Sequence, residues 1–115
     1  MHNKTEMITE QQINLLKDVI VETMHPEKVY LFGSYANGEP NEDSDVDILI
    51  EVEKSDLPKI KRNLEVRSEI DKHMQLHFPQ DIFVFTSDEM NDWKDLKNSF
   101  INNALYQSKT LYERN

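Results

Sequence analysis

Apolar residues recur along this chain with two periods, and the changes of period divide it into elements. Ile13, Leu16, Ile20 and Met24, with Leu15 and Val19 beside them, repeat at helical spacing, so an amphipathic helix is expected there. Thr9 with Gln12 offers a capping box at its start, and His25-Pro26 ends it. Lys28 to Phe32 is a short apolar run that reads as a first strand. Both glycines of the chain, Gly33 and Gly38, then fall with Pro40 in a segment from Gly33 to Ser44, expected as a turn, a helical turn and a loop. Asp45 to Glu53 alternates and reads as a second strand. Val46, Ile48, Ile50 and Val52 take one face; Asp45, Asp47 and Leu49 take the other.

A second long helix is expected from Ser55 or Asp56, with Pro58 in its first turn and His77-Phe78-Pro79 at its end. Ile60, Leu64, Val66, Ile70 and Met74 are expected on its buried side, where Arg67 interrupts the stripe. Asp81 to Phe85 is the third strand, with Ile82 and Val84 facing away from Asp81, Phe83 and Phe85. Thr86 and Glu89 form another capping box. One last helix then carries Trp93, Leu96, Phe100 and Ala104 at core spacing, and Leu111 and Tyr112 dock the C-terminus. Met1 to Ile8 reads as a polar, frayed start. Helices alternating with strands over a small mixed sheet of three to four strands give an α/β (α+β) sandwich. With 115 residues and neither repeats nor linkers, the expectation is one domain over residues 1–115.

Composition narrows the function. A formal net charge of −9, from 22 acidic and 13 basic residues, argues against a nucleic-acid backbone as main partner, since such proteins carry a basic face. The absence of cysteine excludes disulfides and thiolate metal sites. No run approaches the roughly 18 apolar residues of a membrane span, and no signal-peptide core is present. A cytoplasmic protein is expected.

The chemistry concentrates between Val29 and Val52. Asp45 and Asp47 share one strand face although Asp is depleted in strands. Two like charges so close raise each other's pKa unless a cation lies between them. Mg²⁺ suits such a pair because it takes one or two carboxylates plus phosphate oxygens. Gly33 permits a sharp turn and close approach of a ligand; Ser34 adds a hydroxyl and opens a helical turn with free N–H groups. Asp81, opening the third strand, joins the pair if the second and third strands are neighbours. The alternative for Asp81 is a turn residue. Other motifs fail. Gly33 is not followed by GxxxxGK[ST], and Gly33-Ser34-Tyr35 does not fit GxGxxG. Asp43, Asp45 and Asp47 match the first positions of a calcium loop, but its sixth and twelfth are Ile48 and Lys54. His73 and His77, four apart, lack a third ligand at useful spacing and read as a solvated helix end.

Gly33-Ser34, ten residues, then Asp45-Val46-Asp47 resembles the GSx10DxD signature of the DNA polymerase beta-like nucleotidyltransferases. The short chain, the acidic balance and a Tyr-rich terminal helix resemble the minimal members, the antitoxin halves of HEPN/minimal-nucleotidyltransferase toxin–antitoxin pairs. The resemblance implies that Gly33 and Ser34 bind the triphosphate of ATP. It also implies that Asp45 and Asp47 ligate Mg²⁺, and that Asp81 is the third carboxylate, ligating metal and helping a hydroxyl attack the α-phosphate. The implied reaction is AMP transfer onto a tyrosine of a partner HEPN RNase toxin, within a hetero-oligomer. One departure is Asn37, where many members carry Arg. So small a site leaves its acceptor pocket to be completed by a partner, with Tyr35, Trp93, Tyr106 and Tyr112 as candidate docking residues and core packing the first expectation for Trp93. The rival expectations are an antitoxin that acts by binding alone and a free-standing transferase for a small-molecule hydroxyl.

Overall fold

A computed structural model describes residues 8–75 and 78–115. Met1 to Met7, the start of the expected frayed segment, lie outside the described residues, as does His77. Among the described residues nine elements follow in order: α1 (Glu10–Met24), β1 (Lys28–Phe32), α2 (Ser34–Asn37), β2 (Val46–Val52), α3 (Lys59–His73), β3 (Gln80–Thr86), α4 (Ser87–Trp93), α5 (Phe100–Leu105) and β4 (Lys109–Glu113). The four strands form one sheet in the order β3-β2-β1-β4. β1 runs antiparallel to both β2 and β4, whereas β2 and β3 are parallel. Parallel neighbours need a crossover, and α3 supplies it.

Both capping boxes form with both arms in place, at Thr9–Gln12 and at Thr86–Glu89. α1 stops at His25, whose left-handed φ of 48° precedes Pro26. Its buried residues Ile13, Leu16 and Ile20 join Val66 and Ile70 of α3 over one sheet face, against Val29, Leu31, Val46, Ile48, Ile50, Ile82 and Val84. The opposite face carries a smaller cluster of Leu49, Met90, Ile101 and Ala104. Burying each such large aliphatic chain contributes about 1.5–3 kcal/mol.

Three expectations are corrected. α3 begins at Lys59, with Pro58 as its cap, and its buried stripe is Arg62, Val66 and Ile70. Ile60 and Leu64 are 72% and 62% exposed. They lie two residues from Arg62 and Val66, which at 100° per residue turns them to the far side. The expected single last helix is two short ones. Asn98 takes a left-handed φ of 72°, and Ser99 then caps α5 by accepting the Asn102 amide, so the helix restarts. Trp93, Leu96 and Phe100 are consequently 44%, 51% and 47% exposed, rather than core. The C-terminus is the strand β4, not a Tyr-rich helix; KTLYE adds a fourth strand beside β1, with a register shift opposite Val29 and Tyr30, and Leu111 and Tyr112 both reach the main core.

Candidate functional site

Strand register brings two of the expected carboxylates side by side. Asp47 is paired with Asp81 across the parallel β2/β3 ladder and with Phe32 across β1/β2, so all three stand on one sheet face. Asp45, two residues upstream at the end of the loop, is near enough for its charge to act on Asp47. The loop is tied by its own side chains: Asn41 N–H donates to Ser44 Oγ at 2.9 Å, and Asp43 N–H to Asn41 Oδ1 at 2.8 Å. Asp45 and Asp81 are exposed and Asp47 is half-buried.

Gly33 closes the site from the end of β1. Its φ of 74° and ψ of −156° belong to a region essentially reserved for glycine. A Cβ there would collide with Oδ2 of Asp47, so the carboxylate rests directly against the glycine Cα. Gly33 O then accepts the amides of Ala36 and Asn37 at 3.0 and 3.1 Å, which winds α2. With only four residues α2 has a negligible dipole, so the expected anion attraction reduces to local backbone groups at Gly33 and Ser34. Tyr35 is turned away from the site, its hydroxyl accepting the Ile8 amide at 3.0 Å. Asn37 Oδ1 accepts the Glu39 amide at 3.1 Å and so finishes the turn.

Asp47 is electrostatically uncomfortable. Burial, then the charge of Asp81, then that of Asp45, push its carboxyl up to about 6. Among the described residues no three His, Cys, Asp or Glu side chains form a ready-made ion site. The two observations agree if the carboxylates are near enough to repel yet too few and too open to enclose an ion alone. Such a donor set fits Mg²⁺, which keeps water and phosphate oxygens in its shell and takes few protein ligands. His73 forms no such site: its Nδ1 is 2.8 Å from Glu69 O on its own helix.

Sequence reasoning missed two parts of this region. Beside the carboxylates lies an aromatic floor. The rings of Phe32, Phe83 and Phe100 lie with centroids 4.9 to 6.1 Å apart. The signal was present in Asp81-Ile82-Phe83-Val84-Phe85, where alternation puts both phenylalanines on the face of Asp81. The other part is polar. Arg67 donates from Nη2 to Gln80 O at 2.6 Å and from Nη1 to Gln80 Oε1 at 2.8 Å, bracing the residue before Asp81.

The chain is similar in sequence and fold to several known proteins. The family model "Polymerase beta, Nucleotidyltransferase" matches residues 14–115. A "Putative protein adenylyltransferase" of Methanocaldococcus jannaschii is 33% identical over 60 residues, 52% of this chain and 60% of the relative. The match thus spans less than two thirds of that relative's length. Two crystal structures share the fold. A "putative nucleotidyltransferase from Sulfolobus solfataricus" has a TM-score of 0.59 at 19% identity, covering 89% of this chain and 78% of that one. A mutant of the toxin–antitoxin MntA-HpeT has a TM-score of 0.58 at 18% identity, covering 93% and 75%. With the family model spanning nearly all of the sheet and its helices, this chain belongs to the polymerase beta nucleotidyltransferase family.

Proposed function

We propose that the chain is an antitoxin that transfers AMP from ATP onto a tyrosine hydroxyl of a cognate HEPN RNase toxin, and so neutralises it. One observation carries the reading: the Asp47 carboxylate lies against Gly33 and in register with Asp81. A turn able to approach phosphate closely and a group of acidic oxygens thus share one spot. The adenylyltransferase name of the archaeal relative favours AMP as the transferred group and protein as the acceptor. The fold shared with MntA-HpeT favours a toxin as that protein.

In this mechanism the backbone at Gly33 and the Ser34 hydroxyl bind the triphosphate. Asp45, Asp47 and Asp81 would hold Mg²⁺, which when bound neutralises the triphosphate and the departing pyrophosphate. Asp81 accepts the proton of the tyrosine hydroxyl. The tyrosine oxygen then bonds to the α-phosphorus as the bond to pyrophosphate breaks, leaving O-AMP-tyrosine and free pyrophosphate. The partner supplies the remaining wall, and exposed Trp93 and Leu96 are available to meet it.

The test mixes the purified chain, ATP, Mg²⁺ and the partner toxin, and weighs the toxin by mass spectrometry. One or more additions of AMP are expected, lost in Asp45→Asn and Asp47→Asn. An unchanged mass with a toxin that the chain still silences would overturn transfer in favour of neutralisation by binding.

A further inference from the structure

Gly33 has a second neighbour besides Asp47. On its β4 side opens a cleft of about 330 Å³, walled by Asn37, Phe100, Asn103, Tyr106 and Gln107 together with Phe32 and Gly33 itself. The size lies at the lower end of small-ligand sites. The strand order explains its place. β2, with Asp47, lies on one side of β1, and β4 lies on the other. Residues 106–108 enter β4 beside the end of β1, where Leu31 pairs with Lys109. Gly33 therefore separates an acidic side from a cleft side.

The cleft has a different chemistry from the acidic side. Among the described residues no charged side chain lines it. Its polar groups are three carboxamides, which carry both donors and acceptors and suit the edge of a neutral heterocycle. Asn37 Oδ1 already accepts the Glu39 amide, while no described hydrogen bond uses its NH₂ group. The apolar groups are rings. Phe100 is held by Phe32 and Phe83 with centroids 5.9 and 4.9 Å away, yet stays 47% exposed. Tyr106 is 75% exposed, presented by a turn in which its amide donates to Asn102 O at 3.2 Å and Gln107 takes φ 59°. A large ring held in water at the mouth of a cleft is suited to stacking on a flat ligand.

We infer that this cleft receives the base of the nucleotide, with Phe100 and Tyr106 stacking on it and Asn37, Asn103 and Gln107 meeting its polar edge. The inference rests on the nucleotidyl-transfer reading above and adds to it the residues that recognise the base. Gly33 then marks the passage from base and sugar to the phosphates, which turn toward Asp47 and Asp81.

Calorimetric titration in excess Mg²⁺ tests this with two probes, ATP and inorganic tripolyphosphate. The wild-type chain is expected to bind ATP at least tenfold more tightly. Tyr106→Ala, at a position too exposed to endanger the fold, is expected to weaken ATP about tenfold and leave tripolyphosphate unchanged. Equal binding of the two probes, or an ATP affinity untouched by Tyr106→Ala, overturns the cleft assignment while adenylyl transfer still stands. The same holds if Tyr106→Ala spares ATP binding but abolishes transfer, since the ring then serves the acceptor. If neither probe binds the wild-type chain, the nucleotide reading falls together with the cleft.

Discussion

Asp47 carries a conflict that the rest of the fold tolerates. Burial and two like charges raise its carboxyl from an ordinary 3.8 to about 6. The folded protein therefore holds this proton more tightly than the unfolded chain does. Its stabilising effect is complete below about pH 4 and is lost as pH rises through about 6. With chelator present, Asp47→Asn is expected to melt higher than the wild type at pH 7.5, by about 1 kcal/mol once solvent screening at this half-exposed group is allowed for. The advantage should vanish near pH 4; an equal melting temperature at both pH values would show the charge to be relieved some other way. The DxD pair itself was legible in sequence, because acidic residues inside an apolar alternation have no other physical reason. Its contact with Gly33 was not, because fourteen positions separate them along the chain and only strand pairing closes the gap.

At the scale of elements, α3 does more than cross from β2 to β3. β3 is an edge strand, and its outward backbone groups need partners. α3 supplies them from polar side chains. Arg67 takes Gln80 O, Asn63 Oδ1 accepts the Val84 amide at 3.0 Å, and Arg62 lies 3.5 Å from Val84 O. Arg62 also donates to Leu57 O at 2.7 Å and to Glu89 at 2.7 Å, which ties α3 to α4. Burial alone would raise the Glu89 carboxyl; the hydrogen bonds and charge of Arg62, with the Thr86 amide, bring it below its usual range. Arg67 interrupts only the stripe expected from hydropathy; it stands beside the buried stripe of Arg62, Val66 and Ile70, where it serves this brace. Arg67→Met is expected to cost about 2–3 kcal/mol. It should quicken hydrogen exchange at the amides of Asp81 and Ile82 by about tenfold or more, with little change at Leu16 and Ile20. A uniform rise across the chain would show global loosening instead of a local brace.

The whole molecule is a four-stranded sheet whose two faces serve different ends. One is sealed by α1 and α3; the other is only partly covered by α4 and α5 and leaves the carboxylates and the aromatic floor accessible. β4 completes this plan by pairing with β1, and Leu111 and Tyr112 pack against the main core. Removing residues 109–115 is expected to cost at least 2–3 kcal/mol through those two side chains, a fall of roughly 10 °C in melting temperature by circular dichroism. A truncated chain that melts like the intact one would make β4 an appendage. Local sequence specifies α1, the first three strands, both capping boxes and the glycine–serine and aspartate motif, because period, caps and turns act within a few residues. Tertiary structure alone decided the phase of α3, the division of the last helix, β4, the Arg67 brace and the cleft beside Gly33. Those depend on which surface each element meets, and a one-dimensional pattern carries the period of a helix but not the direction of its neighbours.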